Sequence, residues 1–326
     1  MNSPIIVVGI PRSGSTLLTN ILNKNPSLFI VNDFYFLQYV DSVNGFDRTN
    51  NELSKAFSRE ICNRIKARIE REDSPELECG LYFSREDERK LEYLVENTFS
   101  DSSYTWYELL ENIMFFSAEL LNKKIWGYNT PQDFLHIERL EQHFPKSKFI
   151  YMMRDPRSLL LSYKNVTSNG YHETNRYHPA LQALSWRTAM RSYLQKNHKD
   201  NCLLVRYEDL IANTNVELSR IGQFVGHEFP HIDINQFGNN SSFKNNSKKL
   251  HLLDTEIWLC EYIARQEMEA TNYSLSATKP RLQDIGHITY LTGRVLNFYL
   301  SKIVLSPNVR KRVLQVVKNV VGKQPK

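Results

Sequence analysis

The stretch VVGIPRSGSTLLTNIL, Val7 to Leu22, constrains the fold more than any other part of the chain. Pro4 to Val8 is an apolar, β-branched run suited to a strand buried on both faces, and Leu17, Leu18, Ile21 and Leu22 then recur at helical spacing. A strand turning through a glycine-containing loop into a helix gathers backbone N–H groups around one point, and the helix dipole adds partial positive charge there. Such a loop binds an anion, a phosphate or a sulfate. Against the nucleotide-loop pattern G-x-x-x-x-G-K-[ST], the chain supplies Gly9, Gly14 and Thr16 but has Ser15 where the lysine belongs. In a kinase or ATPase that lysine and magnesium neutralise the β- and γ-phosphates. With Ser15 in its place and Arg12 at the mouth, the loop suits one phosphate better than a metal-bound triphosphate.

Leu28 to Val31, Phe149 to Met153 and Leu203 to Val205 read as further short buried strands, with helical patterns over Phe134 to Phe144 and Ala180 to Asn197. This alternation predicts an α/β fold of the P-loop type, a mostly parallel sheet flanked by helices. Asn50 to Leu121 is charge-rich and lacks a strand signal, so an inserted helical cap is expected there. Gln236 to Lys249, rich in Asn, Ser and Lys, reads as a loop. No repeat or linker divides the chain. One domain over 1–326 is expected, with the cap at about 50–121 and a helical, basic extension over 281–326.

The formal charge of +5 is concentrated at one end: Ser301 to Lys326 carry seven Lys or Arg and no acid, which leaves −2 for the first 300 residues. The body is therefore not a basic nucleic-acid surface. Cys62, Cys79, Cys202 and Cys260 show no C-x-x-C spacing, and the nine histidines form no H-E-x-x-H pattern, so neither a disulfide framework nor a metal site is expected. The chain enters a strand without a leader and has no apolar run of about 18 residues, which reads as a cytoplasmic, microbial protein. In the last segment Val309, Val313, Val317 and Val320 share a helical face among basic residues. A basic amphipathic helix can lie on an anionic membrane, but without Trp or Phe this stripe is expected to pack on the body. The oligomeric state leaves no mark in the sequence.

Two later stretches carry chemistry. In FIYMMRDPRSLLLSYKNV a buried strand ends at Met153, Arg154 emerges from its carboxyl end, and Ser162 lies two turns along the following helix, where a second phosphate could be held. In LVRYEDLIAN another strand end leads to Tyr207, Glu208 and Asp209. With PRSGST, these motifs resemble, in order, those of the sulfotransferases that use 3'-phosphoadenosine 5'-phosphosulfate (PAPS). The Pro-Arg-Ser-Gly wording is similar to the carbohydrate and tyrosylprotein branch rather than to the phenol and steroid branch. The resemblance implies that Arg12, Ser13, Gly14, Ser15 and Thr16 cradle the 5'-phosphosulfate and that Arg154 and Ser162 grip the 3'-phosphate. It also implies that Tyr207 lies near the adenine and that Ser241 and Ser242, in the NSSF stretch, close over the nucleotide. The alternative for Arg154 is a strand-end salt bridge with Asp155 or Asp209; for Tyr207 it is a core aromatic.

Transfer to an alcohol needs a base. Asp33 follows the second strand in LFIVNDFYF, and the related branch carries a glutamate at the matching position. Its other reading is a helix N-cap. Arg12 would face charge on the oxygen bridging phosphorus and sulfur. Where related sequences often read Gly-Glu-Lys-Thr-Pro, this chain has Tyr128 and Asn129, so Asn129 donates a neutral hydrogen bond, Lys164 or Arg157 substitutes, or Arg12 acts alone. His172 and His178 would line an acceptor pocket or lie on the surface. The expected activity is PAPS-dependent sulfuryl transfer to a hydroxyl, or a nitrogen, of a small-molecule, natural-product or carbohydrate acceptor, yielding 3',5'-ADP without a metal. A P-loop kinase and a non-catalytic anion-binding protein are the rivals.

Overall fold

A computed structural model describes residues 4–42, 51–72, 79–97, 104–168, 177–237 and 250–305. They belong to two compact units, Met1–Asp155 with Thr188–Asn239, and Pro156–Arg187 with Asn240–Lys326. The elements run β1 (Ile5–Gly9), α1 (Ser15–Leu22), β2 (Leu28–Val31), α2 (Phe36–Ser42), α3 (Asn51–Lys66), β3 (Glu70–Arg71), β4 (Tyr82–Phe83), α4 (Arg85–Asn97), α5 (Trp106–Leu120) and β5 (Ile125–Asn129). A 3-10 turn (Pro131–His136) leads to α6 (Ile137–His143), β6 (Lys148–Met153), α7 (Pro156–Ser168), α8 (Pro179–Leu194), β7 (Cys202–Arg206), α9 (Tyr207–Ala212) and α10 (Thr214–Val225). Helices α11 (Asp254–Ala270) and α12 (Ile285–Leu305) follow.

The first unit is built on a five-stranded, fully parallel sheet in the order β2-β5-β1-β6-β7. Side chains alternate across it: Ile5 and Val7 of β1 join Leu18, Ile21 and Leu22 of α1 and Leu218, Ile221 and Val225 of α10 in one core. On the other face Trp126 meets the edge of Phe144, and Tyr151 meets Tyr193. Both faces are covered, as the unbroken apolar strands require.

The expected strands are all present, and β5 is one the sequence did not announce. Its IWGYN run is interrupted by Gly127, yet a Cβ there would stand 2.1 Å from the Ile5 carbonyl oxygen and 2.7 Å from Ile30 Cδ1. Close approach to both neighbouring strands excludes any side chain. In the stretch expected to form a cap lie α3, α4 and α5, which pack on one another, and α5 also packs on β5. Thr105 and Glu108 close a capping box at the start of α5. Two-residue strands β3 and β4 pair in parallel inside this stretch, too short to leave a periodic signal.

In the second unit Leu160, Tyr177, Ala183, Cys260 and Leu291 form a core between α7, α8, α11 and α12. Of the extension expected over 281–326, residues 282–305 are helical, and 306–326 lie outside the described residues. The Val309–Val320 stripe, His172, Ser241 and Ser242 lie outside the described residues. No described helix is long and apolar enough to cross a membrane.

Candidate active site

Because β1, β6 and β7 are parallel, the segments after Gly9, Met153 and Arg206 leave the sheet at one edge. The first of these is the glycine loop. Ser13 N–H bonds the Ile10 carbonyl at 3.1 Å, α1 starts at Ser15, and no described residue accepts the N–H groups of Gly14, Ser15 or Thr16. The Ser13 hydroxyl is buried and has no hydrogen-bond partner among the described residues. A hydroxyl and several amides that share no acceptor from the protein are satisfied together by an anion with several acceptor oxygens. Gly14 has φ 98°, and a Cβ on it would stand 2.5 Å from the Tyr207 ring. Only glycine fits beneath that ring.

The Arg154 guanidinium lies over the same Tyr207 ring, 4.4 Å from its centroid. Tyr207 is thus wedged between the loop and Arg154. Its neighbours after β7 are engaged elsewhere: Glu208 accepts the Asp155 N–H at 2.8 Å, and Asp209 pairs with Arg206 at 3.7 Å. Ser162 is buried on α7, in the second unit.

Asp33 stands at the exit of β2 with φ 45°, and Tyr35 follows with φ 50°. The backbone there is pinned on both sides. The Phe34 N–H bonds the Asn129 carbonyl at 3.1 Å and the Tyr35 N–H bonds Thr130 Oγ1 at 2.9 Å, while Asn32 is held by a relay of amides. In that relay Asn129 donates to Asn32 at 3.0 Å and Asn32 donates to Asn20 at 3.0 Å. Since α2 opens at Phe36, the cap position falls to Tyr35 and not to Asp33. The Asp33 carboxylate, about a third exposed, faces Arg68 at 3.8 Å, and Arg64 donates to the Phe34 carbonyl at 2.9 Å. Arg12 also has a left-handed backbone, φ 75°. Non-glycine residues hold such conformations only when their surroundings enforce them.

Asn129 is fully buried, its amide N–H is committed to Asn32, and its Oδ1 has no partner among the described residues. It presents no cation. Lys164 and Arg157 pair with Glu256 at 2.6 Å and Glu261 at 2.9 Å in the second unit. His178 is buried at the start of α8, where Nδ1 accepts the Ala180 N–H and Nε2 meets Thr292; burial lowers its pKa. One further acid lies near β5. Asp133 is buried beside the Tyr128 hydroxyl, close to it but outside hydrogen-bonding geometry. Burial, with the Asp41 charge adding and Tyr128 and Arg139 opposing, pushes Asp133 up to about 7.

A family model described as the sulfotransferase family matches residues 4–231. The chain belongs to the sulfotransferase family. Among curated relatives it resembles a 3-beta-hydroxysteroid sulfotransferase of Cavia porcellus, 31% identical over 116 residues, which are 30% of this chain and 38% of that protein. It also resembles sulfotransferase 2A1 of Homo sapiens, 31% identical over 32% of this chain and 42% of that one. The chain therefore matches less than half the length of these sulfotransferases. Among solved structures, the sulfotransferase domain of the Synechococcus PCC 7002 olefin synthase aligns with a TM-score of 0.50 at 17% identity, covering 85% of this chain and 98% of that domain. A sulfotransferase domain from the curacin biosynthetic pathway gives 0.51 over 85% and 99%. At that identity the likeness concerns the fold. A hydroxysteroid enzyme is among the relatives although the loop reads Pro-Arg-Ser-Gly, so membership is fixed for the family and not for a branch.

Arg64, Arg68 and Asn32 do not stand out in the sequence. The arginines lie in the charge-rich stretch, 31 and 35 residues after Asp33, and nothing local marks them. Asn32 adjoins Asp33 at a strand exit, which is a signal that could have been read.

Proposed function

We propose that the protein transfers a sulfuryl group from PAPS to a hydroxyl, or a nitrogen, of a small-molecule or carbohydrate acceptor. The observation that carries this is the Tyr207 ring, which touches Gly14 of the phosphate loop and Arg154 at the next strand end. Two anion-binding elements spaced by one aromatic ring suit a nucleotide with phosphates at both 5' and 3' positions. The unpartnered Ser13 hydroxyl and the open amides of Gly14, Ser15 and Thr16 fit the 5' end. Bound PAPS would supply an activated sulfuryl group.

The chain's own residues do the rest. Arg12 offsets charge on the bridging oxygen, Arg154 reads the 3'-phosphate, and Asp33 takes the acceptor proton at its carboxylate. Arg68 beside Asp33 stands as the cation at that end of the site, in place of the lysine replaced by Asn129. Ser162, Ser241 and Ser242 keep the roles implied by the family resemblance alone.

Incubation with labelled PAPS and a panel of sugars, alkaloids, phenols and peptides, with EDTA present, tests this directly. Transfer of label to one acceptor class with release of 3',5'-ADP is expected. A strict magnesium requirement, or phosphoryl transfer from ATP, would make the protein a kinase instead.

A further inference from the structure

The carboxylate read as the base and the loop read as the cradle for the 5' end are carried by strands that do not touch. Asp33 follows β2, the loop follows β1, and β5 lies between them. In-line transfer tolerates little error in their separation, since a misplacement of about 1 Å can cost on the order of 10²-fold in rate. Three asparagines bridge the interval. Asn129 ends β5, pairs in register with Val7 of β1, and donates to Asn32 Oδ1 at 3.0 Å. Asn32, the residue before Asp33, donates in turn to Asn20 Oδ1 at 3.0 Å. Asn20 lies on α1 one turn beyond Thr16 of the loop and on the same face.

Packing alone does not call for this relay. Through its pairing with Val7, Asn129 shares the sheet face that Ile5, Val7, Leu18 and Ile21 otherwise fill with hydrocarbon. Asn129 and Asn32 are buried, amides are costly to bury unless bonded, and Asn129 Oδ1 has no partner among the described residues. An aliphatic side chain would fill the place without that cost. What the amides add is direction: each carries a donor and an acceptor, so Asn32 is gripped from β5 on one side and from α1 on the other without adding charge. Asp33 follows at once, in its left-handed conformation. Asn23, three residues after Asn20, clasps the same strand by accepting the Ile30 N–H at 2.8 Å and donating to the Ile30 carbonyl at 2.9 Å. Helix α1 is thus fastened to β2 and its exit at two points.

We propose that Asn129, Asn32 and Asn20 are positioning residues for sulfuryl transfer, fixing the Asp33 carboxylate relative to the phosphate loop at the head of α1. The inference rests on the reading of Asp33 as the base and of the loop as the site of the 5' end.

Kinetics with PAPS and amide exchange together test this. Asn32→Ala should lower kcat about ten- to a hundredfold while 3',5'-ADP affinity stays within about twofold of wild type. In the Asp33→Asn background the same replacement should cost less than about twofold, because the relay acts through that carboxylate. Asn20→Ala, at a half-buried position, removes only the last acceptor and should repeat the pattern with a smaller loss, so the test survives if Asn32→Ala does not fold. Independently of turnover, the Phe34 and Tyr35 amides should exchange at least about tenfold faster in Asn20→Ala, with the β6 amides unchanged. An equal loss of kcat in both backgrounds, an undiminished kcat, or unchanged exchange at Phe34 and Tyr35 would each overturn the proposal. A wild-type chain that moves no sulfuryl group from PAPS would instead refute the proposed donor, and the exchange measurement would then decide the relay by itself.

Discussion

Asp33 occupies a left-handed backbone position with amide anchors on both sides and an arginine opposite its carboxylate. Such conformations cost on the order of 1–3 kcal/mol for a non-glycine residue, so the surroundings hold the carboxylate in place against its own preference. If it is the base, Asp33→Asn keeps the shape and removes the proton acceptor; kcat should fall by about 10² to 10⁴ while 3',5'-ADP affinity stays near wild type. Undiminished turnover would send the search to another base. Arg68→Ala should depress kcat without altering 3',5'-ADP binding, and Arg68→Lys should restore part of it, because a single charge suffices opposite a carboxylate at 3.8 Å. At the other end, Arg154→Ala should weaken 3',5'-ADP binding about ten- to a hundredfold, the worth of a charge-assisted contact of about 1.5–3 kcal/mol. Binding of 5'-AMP should barely move, and equal losses for both nucleotides would mean that Arg154 merely supports Tyr207.

Elements, in contrast to residues, were legible where their pattern was local. Leu28–Val31 was readable to the residue because an unbroken β-branched and aromatic run has one interpretation between turn signals. Strand β5 was not, since the glycine that lets it pass between β1 and β2 is the residue that spoils its apolar run. The exits of β1, β2 and β6 could be read as candidate positions because a parallel sheet sends every strand end to one edge. Arg64 and Arg68 could not, since their contact with the Asp33 segment depends on how the end of α3 meets β2. The 3-10 turn after β5 yields its own prediction. A carboxyl raised from 3.8 to about 7 in the folded state binds more protons folded than unfolded over that interval. Its contribution to stability is complete below the unfolded value and is lost as pH rises toward 7. Asp133→Asn should therefore flatten the decline of melting temperature across this window, and an unchanged slope would show that the group titrates normally.

Across the whole molecule the two units hold their polar interiors differently. The sheet unit uses neutral amides in the Asn20, Asn32, Asn129 relay, whereas the second unit uses charge. Glu256 is fully buried there and accepts from Lys164 at 2.6 Å, Tyr177 at 2.9 Å and the Leu253 N–H at 2.8 Å. Removing one member of a buried pair costs about 3–5 kcal/mol, so Glu256→Ala should accelerate amide exchange in α7 and α11, with the β1 and β6 amides as the comparison. The double replacement Glu256→Leu, Lys164→Met should recover most of the loss, since it leaves no lone charge behind. The sheet order has a different kind of consequence, one of timing. In the finished sheet β1 and β2 do not touch; β5 lies between them and pairs with both, although it is made roughly 120 residues after β1. At about 5–20 residues per second, a nascent chain spends several seconds or more with two apolar strands outside the ribosome and an empty slot between them. Pairing over such sequence distances is slow even in a complete chain. A fragment ending before Lys123 should be unable to form the sheet, and the yield of folded protein should respond to synthesis temperature and chaperone supply more than to changes on its surface.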